Sequence, residues 1–484
     1  MNLKGKGIWL AQLLGLGMFV LVGCGSSSKG HKDAGDAGDA GDGGDGAALE
    51  VASGEAGEVG EVGRTEAGVD LGVGDALADA PSGDVVRDVA SEPGRDTPVV
   101  DAPAVDAPVT DAAIDAPIGD TTRDAPIGGE AGEVGPLALI ATLGGNEETP
   151  PVATTATGVA SFIFDPATMT LNYQLVDTVV GATAAHIHSG AGGEAGPILF
   201  TLTPLSSNMT GIVTLTPDQI PDLLAGRDYI NVHSTAFPAG EIRGQILMPG
   251  ETLFVATLTG NQEAPPTETT GTGNASVILS PGLDSIKYHL HTSLTPTNAH
   301  IHTAIGGMAG PITIPFTPIA STIDGVASIT PAQATDLAEG RMYVNVHTTA
   351  FPNGEIRGQL LLPGETLATA NLSGANETPP VTTTASGVAA FILSYPRDAM
   401  RYEGVFTGLS GPATLVDLRG GITGDAGAAD YPLTIVTGGA GIKGVQAVLP
   451  TDVAALNASP SALFVNVHTA AHPNGEIGGP VTPQ

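Results

Sequence analysis

Residues 228–245 read DYINVHSTAFPAGEIRGQ, and nearly the same phrase returns at 342–359 as MYVNVHTTAFPNGEIRGQ. A third copy, LFVNVHTAAHPNGEIGG at 463–479, keeps Asn466, His468 and Glu476 but lacks the Phe, Arg and Gln of the others. Asn231 and Asn345 lie 114 residues apart, and Asn345 and Asn466 lie 121 apart. A period of that length is a whole domain, since solenoid repeats run to roughly 20–50 residues. The chain therefore divides into three tandem units, 137–249, 250–363 and a degenerate 364–484, joined by the short linkers MPGETL and LPGETL.

The first 136 residues stand apart. Residues 1–23 have the plan of a secretory signal: Lys4 and Lys6 precede a short apolar run that ends in small residues. The run is too short to span a bilayer securely. Its end, Leu21-Val22-Gly23-Cys24, resembles the bacterial lipobox, which implies lipidation of Cys24 and a membrane anchor as the first partner. Gly25 in the next position resembles the sorting pattern of outer-membrane lipoproteins. Cys24 is the only cysteine, so no intramolecular disulfide can staple the domains. Residues 25–136 hold 25 acidic and 6 basic side chains among Gly, Ala, Pro and Val, with no apolar period. Such a segment cannot offset its ordering entropy and reads as a disordered, self-repelling stalk. Residues 137–484 carry 26 acidic and 9 basic residues, and no basic patch marks nucleic acid as a partner.

Within the first unit, β-branched or alternating runs at 139–143, 158–164, 169–176, 184–188, 198–202, 211–215, 229–233 and 241–247 are separated by turn residues. This pattern predicts an all-β fold, with each unit an antiparallel Greek-key sandwich or barrel. One helix is expected at 216–226, capped by Thr216 with Pro217 in first place, and its counterpart at 330–340. Each unit also opens with a polar turn: GNEETPP at 145–151, GNQEAPP at 260–266 and GANETPP at 374–380.

Those turns, together with Ala-His-Ile-His and Asn-Val-His followed by Gly-Glu-Ile-Arg-Gly, resemble the CHRD domain found in chordin and in bacterial secreted proteins. The resemblance covers the chain from about residue 137 onward and implies a secreted β domain. The cysteine-rich modules to which chordin's growth-factor contacts are ascribed have no counterpart here.

Histidine is the one residue type arranged for chemistry. His186, His188 and His233 recur as His300, His302 and His347, and in both units 45 positions separate the second histidine from the third. Residues i and i+2 of a strand share a face. His186 and His188 should therefore point together while Ala185 and Ile187 enter the core. By the same parity Asn231 and His233 share a face, and Glu241 and Arg243 share another, with Asn345, Glu355 and Arg357 as the second set. Each strand would hide aliphatics and display His, Glu and Arg. His-x-His with a later Val-His resembles the copper ligands of Cu,Zn superoxide dismutase, which implies copper or zinc as cofactor, though the bridging and zinc-loop ligands have no match. Alternatively, the imidazoles bond loop carbonyls and the Glu-Arg pair and tie strand ends together. In the third unit an ungapped alignment sets Val416 and Leu418 in the place of the histidine pair, so no metal is expected there. His289 and His291 would extend the cluster or lie on a solvated face. No nucleophile elbow, catalytic cysteine or phosphate loop is present, and no enzyme activity is expected. The reading is a lipid-anchored envelope protein displaying three binding or structural modules toward a protein or other extracellular ligand. The alternative is a copper or zinc protein with sites in units one and two.

Overall fold

The computed structural model describes residues 135–395, 398–420, 429–448 and 463–484. The expected signal, Cys24 and nearly all of the acidic stretch lie outside these residues. Among the described residues no helix is long and apolar enough to cross a membrane.

Domain 1 contains β1 (Leu137–Gly144), β2 (Thr157–Asp165), β3 (Thr170–Asp177), β4 (Ala182–Ser189), β5 (Ile198–Thr201), β6 (Asn208–Thr214), helix α1 (Ile220–Ala225), β7 (Asp228–Ser234) and β8 (Ile242–Gln245). All pairings are antiparallel, in the order β5-β4-β7-β8-β1-β2-β3-β6. The hinge of this sheet is narrow, because β8 meets β1 at Arg243 and Gly144 and the chain just beyond it adds one bridge, at Leu247 and Ile140. The sheet thus folds into two layers with the chain crossing between them after β3, β5 and β6, a Greek-key arrangement. Alternation is close to complete: β2 reads exposed, buried, exposed, buried along its length. Its buried set, with Phe162 and Phe164, joins Leu171, Leu175, Ile187, Ile230 and Ile242 in one core. Burying each such side chain fully contributes roughly 1.5–3 kcal/mol, so period-2 patterning carries most of the fold.

Domain 2 repeats the order with β9 (Thr252–Leu258), β10 (Gly273–Leu279), β11 (Ser285–Thr292), β12 (Asn298–Thr303), β13 (Ile312–Pro315), β14 (Thr322–Ser328), α2 (Pro331–Ala338), β15 (Met342–His347) and β16 (Ile356–Gln359). Its two four-stranded layers are joined by bridges at Thr259–Arg357 and Val255–Leu361. Domain 3 has β17 (Thr366–Ser373), β18 (Ser386–Leu393), β19 (Ala399–Thr407), β20 (Ala413–Gly420), β21 (Ala429–Pro432), β22 (Gly441–Ala447), β23 (Leu463–Thr469), β24 (Ile477–Pro480) and a short β25 (Thr482–Pro483) beside β17. The chain is all-β with three tandem antiparallel domains, and the two helices are the only α elements among the described residues.

Helix α2 begins as its sequence predicts, with Thr330 and Gln333 forming a reciprocal capping box. Helix α1 does not. It starts three residues late, at Ile220, because Pro221 has no N–H to donate to residue 217 and its ring would clash there. Only in the first turn of a later helix is Pro221 tolerated, so Thr216 and Pro217 form a turn in which the Gln219 N–H donates to Thr216 O over 3.0 Å.

The domains touch one another directly. Arg227 pairs with Asp324, and Lys287 donates to Leu224 O at 3.2 Å, between domains 1 and 2, and Arg341 pairs with Glu403 between domains 2 and 3. Tyr395 of domain 3 donates its hydroxyl to Val152 O of domain 1, 3.2 Å away.

Candidate metal centre

Strands β4 and β7 build the first cluster. Their register pairs His186 with Asn231 and His188 with Tyr229, and the alternate residues Ala185, Ile187 and Val232 are fully in the core. His186, His188 and His233 therefore emerge on the opposite face. Each offers a ring nitrogen within 4.8 Å of the other two. The spare nitrogens are spent on loops: His188 Nδ1 lies 2.9 Å from Gly196 O and His233 Nδ1 lies 3.1 Å from Pro238 O. A carbonyl only accepts, so both Nδ1 atoms carry the proton and both Nε2 atoms present lone pairs. The His233 Nε2 has His186 Nδ1 at 3.0 Å and Asn231 Oδ1 at 3.1 Å. The His188 Nε2 is buried and has no partner.

Domain 2 repeats this with greater clarity. His302 Nδ1 donates to Gly310 O at 2.9 Å and His347 Nδ1 to Pro352 O at 3.0 Å. The nitrogens left over, His302 Nε2, His347 Nε2 and His300 Nδ1, are all buried and all without a hydrogen-bond partner. Ring separations of 5.5, 5.1 and 6.5 Å nearly copy the 5.4, 4.9 and 6.5 Å of domain 1. Burial lowers the pKa of His347, and burial helped by neighbouring imidazoles lowers that of His186, His188 and His302 and carries His300 down to about 4. These rings are neutral at physiological pH, which is the form that binds a metal.

The residues beside the cluster are not displayed to solvent, and the expectation of an open polar face is corrected here. Arg243 and Arg357 are each 2% exposed. Arg243 donates to Glu194 O at 2.6 Å and Ala191 O at 3.0 Å, and its guanidinium lies 3.5 Å over the Tyr229 ring, which stacks in turn on His188 at 4.8 Å. Arg357, Tyr343 and His302 form the same stack. Loops cover this face because a guanidinium with five donors can bond their carbonyls. Glu241 and Glu355 accept from Thr154 and Thr269 and stand away from any acid–base chemistry. Asn345 donates to Glu263 at 3.0 Å, while Asn231 sits on His233.

One set of residues was missed. Glu148, Glu263 and Glu377, from the polar turns, are buried beside these asparagines, and desolvation raises each to about 7. Their presence explains the Gly of the Gly-Glu-Ile phrase. Gly240, Gly354 and Gly475 have φ of 138°, 127° and 127°, and an added Cβ at each would lie within 2.4–2.7 Å of a carboxylate oxygen. Recurrence of the Glu two residues before the Pro-Pro in all three units was the signal available in the sequence.

Domain 3 overturns one assignment. Register pairs Asp417 with Asn466 and Arg419 with Phe464, so Asp417 and Arg419, rather than Val416 and Leu418, stand where the histidine pair stands in domain 1. Val416 and Leu418 are core residues, 0% and 1% exposed, equivalent to Ala185 and Ile187. The ungapped alignment was one residue out, and in a strand that error reverses every side chain. His468 keeps its Nδ1 bond to Pro473 O at 2.9 Å, but its Nε2 now faces Asp417 at 3.4 Å and Arg419 at 3.1 Å. Asp417 is completely buried. With Gly478 in the place of Arg243, the cation near Glu377 arrives from another strand, as Arg419.

His289 and His291 do not join either cluster; their rings hydrogen-bond Asp324 and Thr322.

No curated protein and no solved structure matches this chain. The CHRD domain family model matches it three times, at residues 139–246, 254–360 and 368–481. These matches cover well over half of the sequence and coincide with the three β domains, so the chain belongs to the CHRD domain family, with three copies in tandem.

Proposed function

We propose that this protein is an array of CHRD modules in which domains 1 and 2 each bind one copper or zinc ion through three imidazoles. The observation that carries the reading is the trio of unpartnered buried nitrogens at His300 Nδ1, His302 Nε2 and His347 Nε2. Leaving a buried polar atom without a partner costs about 1–3 kcal/mol, and three in one place call for a shared partner. A metal ion of imidazole preference supplies it. With bonds of about 2.0–2.1 Å, tetrahedral ligands lie roughly 3.3 Å apart. Nitrogens now within 4.8 Å reach that separation by small ring rotations. Backbone carbonyls on the opposite nitrogens fix tautomer and ring plane, as in the outer shell of many metal sites.

Domain 3 separates two tasks of the third histidine. Its Nδ1 bond to the turn carbonyl persists at His468, so that bond is structural in all three domains. What changes is the Nε2 partner, which is protein in domain 3. Three imidazoles also leave at least one coordination position for an external group, so redox chemistry on copper is the chemistry such a site would support. Lipid anchoring at Cys24 and display from the envelope, most simply the outer membrane, complete the proposal on the strength of the leader sequence.

Metal analysis and titration calorimetry on the chain from residue 137 onward test the reading. Demetallated protein is expected to take up two Cu(II) or Zn(II) ions, and His302→Ala to take up one. Asp417→His with Arg419→His should raise the number toward three. Failure of the demetallated wild type to bind either ion overturns the proposal and leaves the histidines as strand ties.

A further inference from the structure

The loop that joins β4 to β5, residues 190–197, has two working sides. On the inner side its carbonyls hold the candidate site: Gly196 O takes His188, Ala191 O and Glu194 O take Arg243, and Gly190 O takes Gln245. The Gly196 N–H donates to the Tyr229 hydroxyl at 3.2 Å, locking the ring that stacks on His188. On the outer side the same loop lies against domain 2. A Cβ added to Gly192 would meet Leu253 at 2.8 Å and Val255 at 3.0 Å, and the Glu194 carboxylate lies 3.4 Å from His289.

The arrangement recurs one domain further on. In the loop between β12 and β13, Gly310 O takes His302, Met308 O and Ile305 O take Arg357, and Ala304 O takes Gln359. Outside, a Cβ on Gly306 would lie 2.9 Å from Leu367, and one on Gly307 would lie 3.0 Å from Val388. Ile305 packs with Leu367, Ala390 and Ile392 in an apolar cluster of its own. At Gly192 and Gly306 the next domain comes so close that no depth is left for a side chain.

Given the metal reading above, we infer that each site is completed by the following domain: domain 2 seats the loop that orients the ligands of domain 1, and domain 3 does the same for domain 2. Leu253, Val255 and His289 are positioning residues for the first site, and Leu367, Val388 and Ile392 for the second. The inference also assigns a task to domain 3, whose Asp417, Arg419 and His468 replace the triad: it seats the loop of domain 2. Without that seat the loop carbonyls are free to turn outward to water, and His302 loses its fixed orientation.

The test reads one site at a time in the three-domain chain. His233→Ala silences the first site and His347→Ala the second, and zinc affinity is measured by competition with a chelator. Leu367→Ser is expected to weaken zinc binding at the second site by about tenfold or more, the range seen for outer-shell changes, with the first site unchanged. Leu367→Met should restore it. His289→Gln, a milder change, should weaken the first site alone. Should Leu367→Ser fail to fold, Gly306→Ala pushes the same contact apart from the loop side. Unchanged affinity at the second site, or equal losses at both, overturns the inference. A wild type that binds no zinc or copper instead fails the metal reading itself, before any seat variant is made.

Discussion

A buried carboxyl recurs at Glu148, Glu263 and Glu377, and its titration sets a direction for stability. Burial outweighs the attraction of Arg357 and raises Glu263 to about 7, against 4.5 for the free group. The folded chain therefore holds more protons than the unfolded chain between those values, and stability falls as pH rises through that window. The imidazoles oppose this. Their folded values lie below 6.5, so their contribution is present above that pH and is lost as pH falls. Glu263→Gln keeps an acceptor for Asn345 and removes the proton. It should flatten the decline in stability between pH 5 and 7, measured by denaturant melts at a series of pH values; an unaltered slope would mean the folded carboxyl is ionised. At this scale the histidines were legible because strand parity is local. Glu148, Glu263 and Glu377 were not, since a Glu in a Pro-rich turn reads as solvated until the turn is seen folded over the site.

Among the elements, the two helices teach the clearest lesson. Both follow a Thr-Pro phrase, yet only α2 starts there, because residue 335 is Thr in domain 2 while the equivalent Pro221 forbids the same start in domain 1. The side chain of Thr330 accepts from the Gln333 N–H at 3.3 Å, and the Gln333 carboxamide accepts from the Thr330 N–H at 2.7 Å. Thr330→Ala should cost about 1 kcal/mol, seen as a lower denaturation midpoint for domain 2. Its absence would show that the Gln333 half of the box suffices. Strand β20 is the opposite case. Its apolar pattern, Val416 and Leu418, is that of a half-buried strand and was legible, and its irregularity against β23, between Ala413 and Leu415, matches the one that β4 shows against β7 between Ala182 and Ala184. Spacing counted from the preceding Gly set Val416 and Leu418 in the histidine positions, whereas the alternation of the strand itself sets Asp417 and Arg419 there.

Across the whole molecule the contacts between domains are charged as well as apolar. His289 sits between Glu194 of domain 1 and Asp324, with Arg227 of domain 1 also on Asp324 and Lys287 and His291 on its own strand. The hydrogen bonds and negative charge of Glu194 and Asp324 raise its pKa despite burial. A raised value means that the clamp contributes fully below about 6.5 and fades as pH rises through the folded value. NMR titration of His289 should find a pKa above that of a free imidazole, and Glu194→Gln should bring it down; a value at or below 6.5 would remove the clamp. The proposed anchor belongs to this scale too. Cys24→Ser should release the protein from the membrane fraction, and a variant that still pellets and resists salt would end the lipoprotein reading. Taken alone, the sequence determined the triplication, the strand pattern of each unit and the two histidine sets, because repeats and period-2 alternation are written in neighbouring residues. Only the tertiary structure decided that the polar face is roofed, that Asp417 and Arg419 close the third site, and that one domain seats the loop of the one before. Those outcomes rest on contacts between residues tens to hundreds of positions apart, whose burial depends on the whole arrangement.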